Sequence, residues 1–490
     1  MKRDISGNIV ICCLSLIVLF GSLVSASVSL QSSLSLPSNG LINYGPQVEI
    51  TINSDKIIGA NNLSLGFMLD WKWSALSWCD SPIQRELTQN AGFKLVRLFS
   101  HRIEPCTYWN ESTKTGTFNW TDVNAIIQRI FEIGAEPLIC LGFYYKGTPL
   151  IPLGMAIDSK TNLPYPESFG AYATEWVKHF KTLGWSVRYY EIMNEPYFYF
   201  GWNSSDTTKL ANYVAFWNTV ARSMRQMDPN IFISHDSSTI KWVFDYWLQH
   251  GDDIDFLDFH KYDAQTVGQF TDMEMFDRAE RIYFETSCWN YGVKEARQRW
   301  LNARGKSLPI INSESNFNSA WINGTDPKIQ QMAGAVWTAL VLRTEILKGV
   351  SYNVYYSFFS SASWELANRP SGGLGFGMVN SDNNRPWYPY YVQMMLANNL
   401  GTGDLVVETN SSSDDLRSIA WIHNGTLNIL LICKVEQPRT LYLQGVTGQL
   451  EFSKIDSTIS FLTPRIQEGT FIATQPLIMN GYTVTLLQVS

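Results

Sequence analysis

Two glutamates are the side chains in this 490-residue sequence that could perform acid–base chemistry as a pair. Glu195 stands in the tripeptide Asn194-Glu195-Pro196 after one apolar run, and Glu314 follows another. A carboxyl group at the end of a buried strand is costly unless it has a partner or a task. Two opposed carboxyls suit hydrolysis of a glycosidic bond, where one protonates the leaving oxygen and the other attacks carbon or activates water. The alternative is that each glutamate pairs with a cation and only closes the rim of the fold.

The elements that would position this pair are eight apolar runs that alternate with amphipathic segments. Continuous apolar runs are typical of parallel strands buried on both faces. The predicted strands are Leu63–Leu69, Phe93–Phe99, Glu136–Phe143, Val187–Asn194, Ile231–His235, Ile254–Tyr262, Leu308–Ser315 and Ser351–Phe359. Eight strands with helices between them favour an α/β fold of the (β/α)8 TIM-barrel type. An open doubly wound sheet is the alternative, but no G-x-G-x-x-G loop follows the first strand.

Helices are predicted between these strands from the spacing of apolar residues and from capping signals. They are Pro82–Ala91, Val123–Ile133, Tyr172–Leu183, Leu210–Met227, Lys294–Ala303 and Ile329–Leu347. Ser81 is the predicted N-cap of the first, and Thr121 or Asp122 that of the second. Gly134, Gly184 and Gly349 stand where left-handed C-caps belong.

Reacting groups in such barrels lie at the C-terminal ends of the strands. Glu195 ends the fourth predicted strand and Glu314 ends the seventh, so the two should face each other across the mouth. Strict alternation along the fourth strand puts Glu191, Met193 and Glu195 on one face and Ile192 and Asn194 on the other.

After about Gly403 the sequence changes to short alternating runs separated by turn residues, which predicts an all-β module of the sandwich type. The strand-like segment Gln47–Asn53 is expected to join it. At the start, Lys2 and Arg3 precede an apolar stretch and a small-residue site, which indicates a signal peptide. The predicted organisation is a signal peptide (1–26), a leader with a joining strand (27–58), a catalytic barrel (59–402) and a β-sandwich (403–490). The protein is expected to be secreted or extracellular; an uncleaved anchor that keeps it at the cell surface is the alternative.

The composition narrows the range of partners. The formal net charge of −7 disfavours nucleic acid or an anionic membrane surface as the main partner. The seven cysteines form no C-x-x-C pair, and no ligand cluster with metal spacing is seen, so neither a metal nor another cofactor is expected. A disulfide between Cys79 and Cys106 is predicted because both should lie in loops near the same rim.

The Asn-Glu-Pro motif with the second glutamate resembles the large clan of retaining glycoside hydrolases built on (β/α)8 barrels. Within that clan the sequence resembles family 39, which includes β-xylosidases and α-L-iduronidases. The resemblance spans roughly residues 60–400. The segments that carry it are Phe93–Arg97, Phe118–Val123, Glu132–Phe143, Tyr189–Pro196, Ile254–His260, Pro309–Glu314 and Gly372–Val379. The family's accompanying β-sandwich fits the C-terminal module.

The resemblance implies a double-displacement mechanism, with Glu195 as acid/base and Glu314 as nucleophile, acting on a carbohydrate substrate. Glu195 must then start protonated while Glu314 is ionised. Arg97 would keep Glu314 ionised, and Asn194 would hydrogen-bond the sugar 2-hydroxyl.

Further binding residues are expected around this pair. His260 and Tyr262, which end the sixth predicted strand, would lie on the nucleophile's side, as in the clan. Trp364, after the eighth strand, is a candidate sugar platform, because an aromatic face can stack on the C–H face of a pyranose. Structural roles are the alternative for each binding residue: a cation pairing a structural acid for Arg97, a turn cap for Asn194, and core packing for the rest.

Three places depart from the family pattern. Phe99 stands where a histidine is usual, with His101 two residues later, and Cys140 stands where a glutamate is frequent. Glu314 is flanked by serines in place of a threonine and an aromatic residue. These departures concern the sugar-binding subsite more than the reaction type.

Two alternatives for the function stay open at this point. One is an endo-acting glucanase or mannanase of another family in the same clan, which would use the same two glutamates. The other is a non-catalytic glycan-binding surface protein. The presence of both glutamates argues against the second, because loss of either is the easiest route to an inactive relative.

Overall fold

The structure is a computed structural model that describes residues 45–145, 147–201, 207–281, 290–460 and 465–489. The predicted signal peptide and most of the leader lie outside these ranges. Among the helices of the described ranges, none is long and apolar enough to cross a membrane.

The described strands, in chain order, are β1 Gln47–Ala60, β2 Ser64–Leu69, β3 Leu95–Phe99, β4 Cys106–Asn110, β5 Thr115–Phe118, β6 Glu136–Tyr145, β7 Thr148–Leu150, β8 Tyr189–Asn194, β9 Phe232–Ser234, β10 Leu257–Ala264, β11 Ile310–Asn318, β12 Tyr352–Tyr355, β13 Phe359–Ser360, β14 Val379–Asn380, β15 Arg385–Pro386, β16 Leu405–Ser411, β17 Leu416–His423, β18 Thr426–Cys433, β19 Arg439–Gln444, β20 Gln449–Ile455, β21 Gln467–Ile472, β22 Leu477–Met479 and β23 Thr483–Val489.

The α-helices of the described ranges are Lys72–Asp80, Pro82–Asn90, Thr121–Glu132, Pro166–Thr182, Tyr197–Phe200, Thr207–Met227, Lys241–His250, Asp272–Ala279, Val293–Arg304, Met332–Lys348, Ala362–Asn368 and Tyr388–Ala397. Two 3₁₀ turns, Ser100–Arg102 and Pro327–Gln330, complete the described helical elements.

Eight parallel strands form one sheet in the order β10-β11-β12-β2-β3-β6-β8-β9, so that the eight predicted strands are all present and adjacent in chain order. The two residues directly before β10 also hydrogen-bond with β9, at the other end of this order. The Asp255 N–H donates to the Ile233 carbonyl at 3.0 Å, and the Ser234 hydroxyl donates to the Phe256 carbonyl at 2.5 Å. The helices between the strands make this a mixed α/β fold.

Apolar side chains on one face of the sheet show how strongly it curls. Met68 of β2, Leu138 of β6, Ile311 of β11 and Val354 of β12 belong to one fully buried cluster. Tyr189 of β8 and Phe232 of β9 pack against the same cluster, which therefore joins side chains from β11 to β9. Side chains of strands this far apart can meet only if the sheet is strongly curved. The opposite face packs on the helices and contributes to the largest apolar core.

The capping predictions were correct for the most part. The Ser81 hydroxyl accepts a hydrogen bond from the Gln84 N–H at 3.3 Å, and Gly349 ends its helix with φ of +74°. The second predicted cap was wrong. That helix begins at Thr121 with Trp120 at the N-cap position, because the Asn119 side chain accepts from the Thr121 N–H.

A second sheet of nine strands has the order β21-β20-β23-β18-β17-β16-β1-β19-β22. The N-terminal strand β1 lies inside it, antiparallel to β16 and parallel to β19. Its apolar core joins Ile50 of β1 to strands as far along the chain as β23. The start and the end of the intervening segment are tied together, because the Asn61 N–H donates to the Asp404 carbonyl and the Gly403 N–H donates to the Asn61 carbonyl.

The predicted disulfide was wrong, because Cys79 and Cys106 are both free, buried thiols. Cys79 lies in the last turn of the helix Lys72–Asp80, whereas Cys106 begins β4. The Cys106 thiol lies 3.4 Å from the carbonyl of Tyr108, within its own hairpin. Burial raises the pKa of each of these two thiols to about 12.

Candidate active site

The fourth strand of the parallel sheet, β8, does not alternate to its end. Met193 and Glu195 both adopt left-handed backbone conformations, with φ of 66° and 47°. Glu191 and Asn194 both contact the guanidinium of Arg97, so they reach the same side of the sheet. The prediction of strict alternation was therefore wrong. The left-handed conformation of Met193, between the two, interrupts the regular alternation of side chains along an extended strand. Glu195 follows at the end of the strand.

The seventh strand, β11, carries a bulge beside Glu314. Phe259 of the neighbouring β10 pairs with Asn312, but the next residue, His260, pairs with Glu314, which leaves Ser313 as the extra residue. Asn312 points away from the site and donates to Glu345 of an outer helix at 2.7 Å. The bulge therefore directs Glu314 into the site.

Arg97 of β3 is the cation at the centre of the site and is fully buried. It donates to Glu191 at 2.6 and 2.9 Å, to Glu314 at 2.6 Å and to the Asn194 side-chain oxygen at 2.7 Å. Burial would lower the pKa of Arg97, but Glu191 and Glu314 raise it above its usual value. One fixed cation thus orients two carboxylates and the Asn194 amide, whose NH₂ group is turned away from the guanidinium.

Glu314 receives hydrogen bonds on both of its oxygens and is only 5% exposed. Arg97 donates to one oxygen, and the Tyr262 hydroxyl donates to the other at 2.6 Å. Nδ1 of His260 lies 3.7 Å from that second oxygen. Burial raises the pKa of Tyr262, and the charge of Glu314 raises it further, so the phenol keeps its proton and remains a donor.

Glu195 lies on the other side of the site, where its carboxylate is 3.0 Å from Nδ1 of His260. Its own N–H donates to Asp236 at 2.5 Å, which fixes the turn that follows the strand. The Tyr197 hydroxyl also hydrogen-bonds the Glu195 carboxylate. His260 therefore lies between the two glutamates, with Nε2 3.5 Å from Asp236.

The acids around His260 determine its charge. Burial alone would lower the pKa of His260, but Glu314, Asp236 and the hydrogen bond to Glu195 raise it to about 9. Burial raises the pKa of Asp236 to about 7, although His260 opposes that shift. At neutral pH the site thus contains two cations, Arg97 and His260.

A second pair of carboxyls lies beneath the site. Asp258 is fully buried, and no donor in the described residues reaches its oxygens, yet its side chain hydrogen-bonds Glu191. Two carboxyl groups can share a hydrogen bond only if one of them carries a proton. Burial and Glu191 raise the pKa of Asp258 well above its usual value. Burial would also raise the pKa of Glu191, but Arg97 holds it below its usual value. Asp258 is therefore the protonated partner.

The separation of the two glutamates is short. One oxygen of Glu195, one oxygen of Glu314 and one ring nitrogen of His260 all lie within 4.8 Å of one another. A single sugar ring can bridge carboxyls at this distance. Three such ligand atoms could also hold a metal ion, so the expectation that no metal is needed stays a prediction.

The structure brings most of the predicted site residues together: Arg97, Asn194, Glu195, His260, Tyr262 and Glu314 form one connected network. Trp364 is not part of it. Its ring is half exposed and lies 5.1 Å from the guanidinium carbon of Arg369, and no described contact joins it to either glutamate. The sequence reasoning missed Asp236 and Asp258, although both follow or lie in predicted strands, where an acid is costly.

Solved structures similar to this chain include glycoside hydrolases. A monomeric β-xylosidase from Caulobacter crescentus CB15 has a TM-score of 0.61 at 13% identity, with 90% of this chain and 99% of that chain covered. A GH51 α-L-arabinofuranosidase from Thermotoga petrophila has a TM-score of 0.62 at 13% identity, with coverage of 91% and 100%. CelM2, a bifunctional glucanase-xylanase from a metagenome library, has a TM-score of 0.59 at 12% identity, with coverage of 91% and 99%.

Sequence comparison gives the family directly. No protein of curated function matches the chain. The profile described as "Glycosyl hydrolases family 39" matches residues 55–434, which is more than three quarters of the chain. The resemblance found in the sequence is thereby confirmed. The chain is a glycoside hydrolase and belongs to glycosyl hydrolases family 39.

Proposed function

We propose that this chain is a retaining glycosidase that hydrolyses O-glycosidic bonds of oligo- or polysaccharides, with Glu195 as acid/base and Glu314 as nucleophile. The observation that carries the proposal is the separation of at most 4.8 Å between oxygens of the two carboxyls. Retaining enzymes hold these groups about 5–5.5 Å apart, whereas inverting enzymes need about 6.5–9.5 Å to admit a water.

In the first step Glu314 attacks the anomeric carbon while the bond to the leaving oxygen breaks. Glu195 gives its proton to that oxygen, and a covalent glycosyl-enzyme remains. In the second step Glu195 takes a proton from water, the water oxygen attacks the same carbon, and Glu314 leaves as a carboxylate. The sugar is released with its original anomeric configuration.

The charges of the site support this order of events. Arg97 and the Tyr262 hydroxyl donate to the two oxygens of Glu314, which suits a group that must act as an anionic nucleophile. When Glu314 becomes an ester it loses its negative charge, and the loss of a neighbouring like charge favours the ionised form of a carboxyl group. The same residue can therefore act first as acid and then as base.

The substrate is a carbohydrate, and the proposal narrows it to pentosides. The solved structures of the same fold include a β-xylosidase and an α-L-arabinofuranosidase. Asn194 would donate from its NH₂ group to the sugar 2-hydroxyl, since Arg97 already occupies its oxygen. Family membership removes the alternative of another family in the clan, and the hydrolase identity removes that of a non-catalytic binding protein.

The proposal also includes the architecture and the location of the protein. We expect the parallel sheet to be a closed (β/α)8 barrel, since the edge strand β9 shares hydrogen bonds with Asp255 and Phe256, which directly precede the other edge strand, β10. We expect the nine-stranded sheet to form a β-sandwich around its own apolar core. Secretion by the N-terminal signal peptide stays a prediction.

Hydrolysis of a panel of nitrophenyl glycosides, with product analysis by NMR, tests the function. Glu314→Gln should abolish turnover. Glu195→Gln should be partly rescued by azide on substrates with an activated leaving group, because such a group departs without an acid. Glu295→Gln, on an exposed helix surface, is the matched control. Full activity in both site variants, or an inverted product, would refute the proposal.

A further inference from the structure

An open depression of about 530 Å³ lies at the same end of the parallel sheet as the proposed catalytic pair, and the mechanism above does not use it. It is lined by Trp71, Lys72, Trp73, Leu76, His101 and Arg102. Binding sites for small molecules have volumes of about 300–1,000 Å³, so the depression is large enough for one sugar unit. Its residues come from the segments that follow β2 and β3.

The two tryptophans of the depression offer aromatic faces to solvent. Trp71 is 46% exposed and Trp73 is 50% exposed. The guanidinium of Arg102 stacks on Trp71 at 3.6 Å from the ring centroid. Because one face of Trp71 is covered in this way, its exposed surface belongs to the opposite face and the edges. Large apolar rings exposed in a depression are typical of ligand contacts.

Polar groups with unused bonding capacity stand beside these rings. Arg102 has Asp70 as its nearest described anion, at 3.9 Å, and its terminal nitrogens have no hydrogen-bond partner in the described ranges. Both ring nitrogens of His101 also lack a partner among the described residues. Burial, together with Arg102 and Arg97, lowers the pKa of His101 to about 3, so its imidazole is neutral. Buried polar groups without partners are costly unless a ligand or a water satisfies them.

Two hydrogen bonds and one ring contact connect the depression to the proposed nucleophile. Asp70, next to Trp71, accepts from the Tyr356 hydroxyl at 2.8 Å. The Tyr356 ring packs edge-on against Tyr262, with centroids 6.2 Å apart, and Tyr262 donates to Glu314. Three side chains, Asp70, Tyr356 and Tyr262, thus link the edge of the depression to Glu314.

We propose that Trp71, Trp73 and Arg102 form a second sugar subsite, which binds a further unit of an oligosaccharide substrate next to the unit that is cleaved. This inference rests on the proposed function. The C–H face of the sugar stacks on the tryptophans, the Arg102 guanidinium donates to its hydroxyls, and His101 closes the wall. Lys72 contributes no free charge, because it pairs with Asp122 at 2.5 Å.

Calorimetric titration of xylo- and arabino-oligosaccharides of one to four units tests the subsite. The titrated protein is Glu314→Gln, which binds substrate without turnover. We expect affinity to rise from one unit to two or more units. In the Glu314→Gln background, Trp73→Ala should lower the affinity for ligands of two or more units by about five- to tenfold. Trp73→Phe should restore part of this affinity. Ile57→Ala, an equally exposed apolar residue of β1, is the control.

Kinetics on active protein separate a subsite from a structural role. For Trp73→Ala, the ratio of kcat/KM for an oligosaccharide to kcat/KM for a single-sugar nitrophenyl glycoside should fall by the same factor. The subsite proposal is overturned if this ratio is unchanged, or if the affinity of Glu314→Gln does not increase with the length of the oligosaccharide. Neither result contradicts the proposed function. Absence of hydrolysis of every substrate overturns the proposed function, and the titration still decides the subsite.

Discussion

The shared proton between Asp258 and Glu191 can be tested with a matched pair of amide substitutions. Asp258→Asn replaces a protonated carboxyl with an amide that can still donate to Glu191. Glu191→Gln removes instead the negative charge that pairs with Arg97 at 2.6 and 2.9 Å. The two variants have the same change in size, so the difference between them reports which of the two groups is charged.

Both substitutions should destabilise the protein, but by different amounts. Breaking a buried ion pair by removing one partner costs about 3–5 kcal/mol. Arg97 keeps Glu314 as a second partner, so the cost of Glu191→Gln should be at the lower end, about 3 kcal/mol. Asp258→Asn should cost no more than about 1 kcal/mol at pH 5, because the hydrogen bond to Glu191 is kept.

The pH dependence of Asp258→Asn gives a further test. The pKa of Asp258 is raised in the folded protein, so the folded state binds one more proton there than the unfolded chain. The stability from this group is complete below the unfolded pKa of 3.8 and is lost as pH rises toward the folded pKa. Asp258→Asn has no group that titrates at this position, so it does not lose this stability. Its unfolding free energy relative to wild type should therefore increase by about 1.4 kcal/mol for each unit of pH increase between the unfolded and the folded pKa of Asp258.

Urea unfolding followed by tryptophan fluorescence, at pH 5 to 8, measures these differences in the free energy of unfolding. Other buried acids contribute equally to wild type and variant, and they cancel in the difference. Two results together would refute the reasoning. Asp258→Asn would destabilise the protein as strongly as Glu191→Gln, and the difference in unfolding free energy between wild type and Asp258→Asn would not change with pH. Together they would mean that Asp258 is ionised and Glu191 carries the proton.

Other consequences of the site can be measured separately. Tyr262→Phe removes a donor to Glu314 and should lower kcat by roughly tenfold to a hundredfold, with an unchanged circular dichroism spectrum. His260 contributes stability that is complete below pH 6.5 and is lost as pH rises through its pKa of about 9. The unfolding free-energy gap between wild type and His260→Asn should therefore narrow by up to about 3 kcal/mol from pH 7 to pH 10. Dialysis against EDTA should leave nitrophenyl glycoside hydrolysis unchanged, since protein groups supply both acid and nucleophile; a loss restored by zinc would contradict this. Trp364→Ala should raise KM severalfold if its half-exposed ring is a sugar platform, and an unchanged KM would assign it to packing.

The parallel sheet could be predicted from the sequence because a strand buried on both faces requires a continuous apolar run. The same runs place Glu195 directly after β8, as the structure has it. Glu314 was predicted to end its strand, but it lies within β11, which continues to Asn318. The bulge at Ser313 and the left-handed turn at Met193 could not be predicted, because neither residue type favours that conformation. Tertiary contacts override the local preference at both places.

The partners of the site were harder to predict than the site itself. Asp236 lies two residues after β9 and Asp258 lies in β10, and the sequence gives no measure of their distance from Glu195 or Glu191. The protonation of Asp258 depends on Arg97 being already satisfied by other acids, which is a property of the whole cluster. The free state of Cys79 likewise depends on how the helix that carries it is placed.

The paired hydrogen bonds between Asn61 and residues 403 and 404 bring the two ends of the catalytic segment side by side. When the two ends of a segment are adjacent, they can be joined and new termini can be introduced in another loop with little loss of stability, as in circular permutation. The segment between them could be joined head to tail by a short linker, with new termini cut in an exposed loop. The second sheet, in contrast, would lose its internal strand β1 in such a rearrangement.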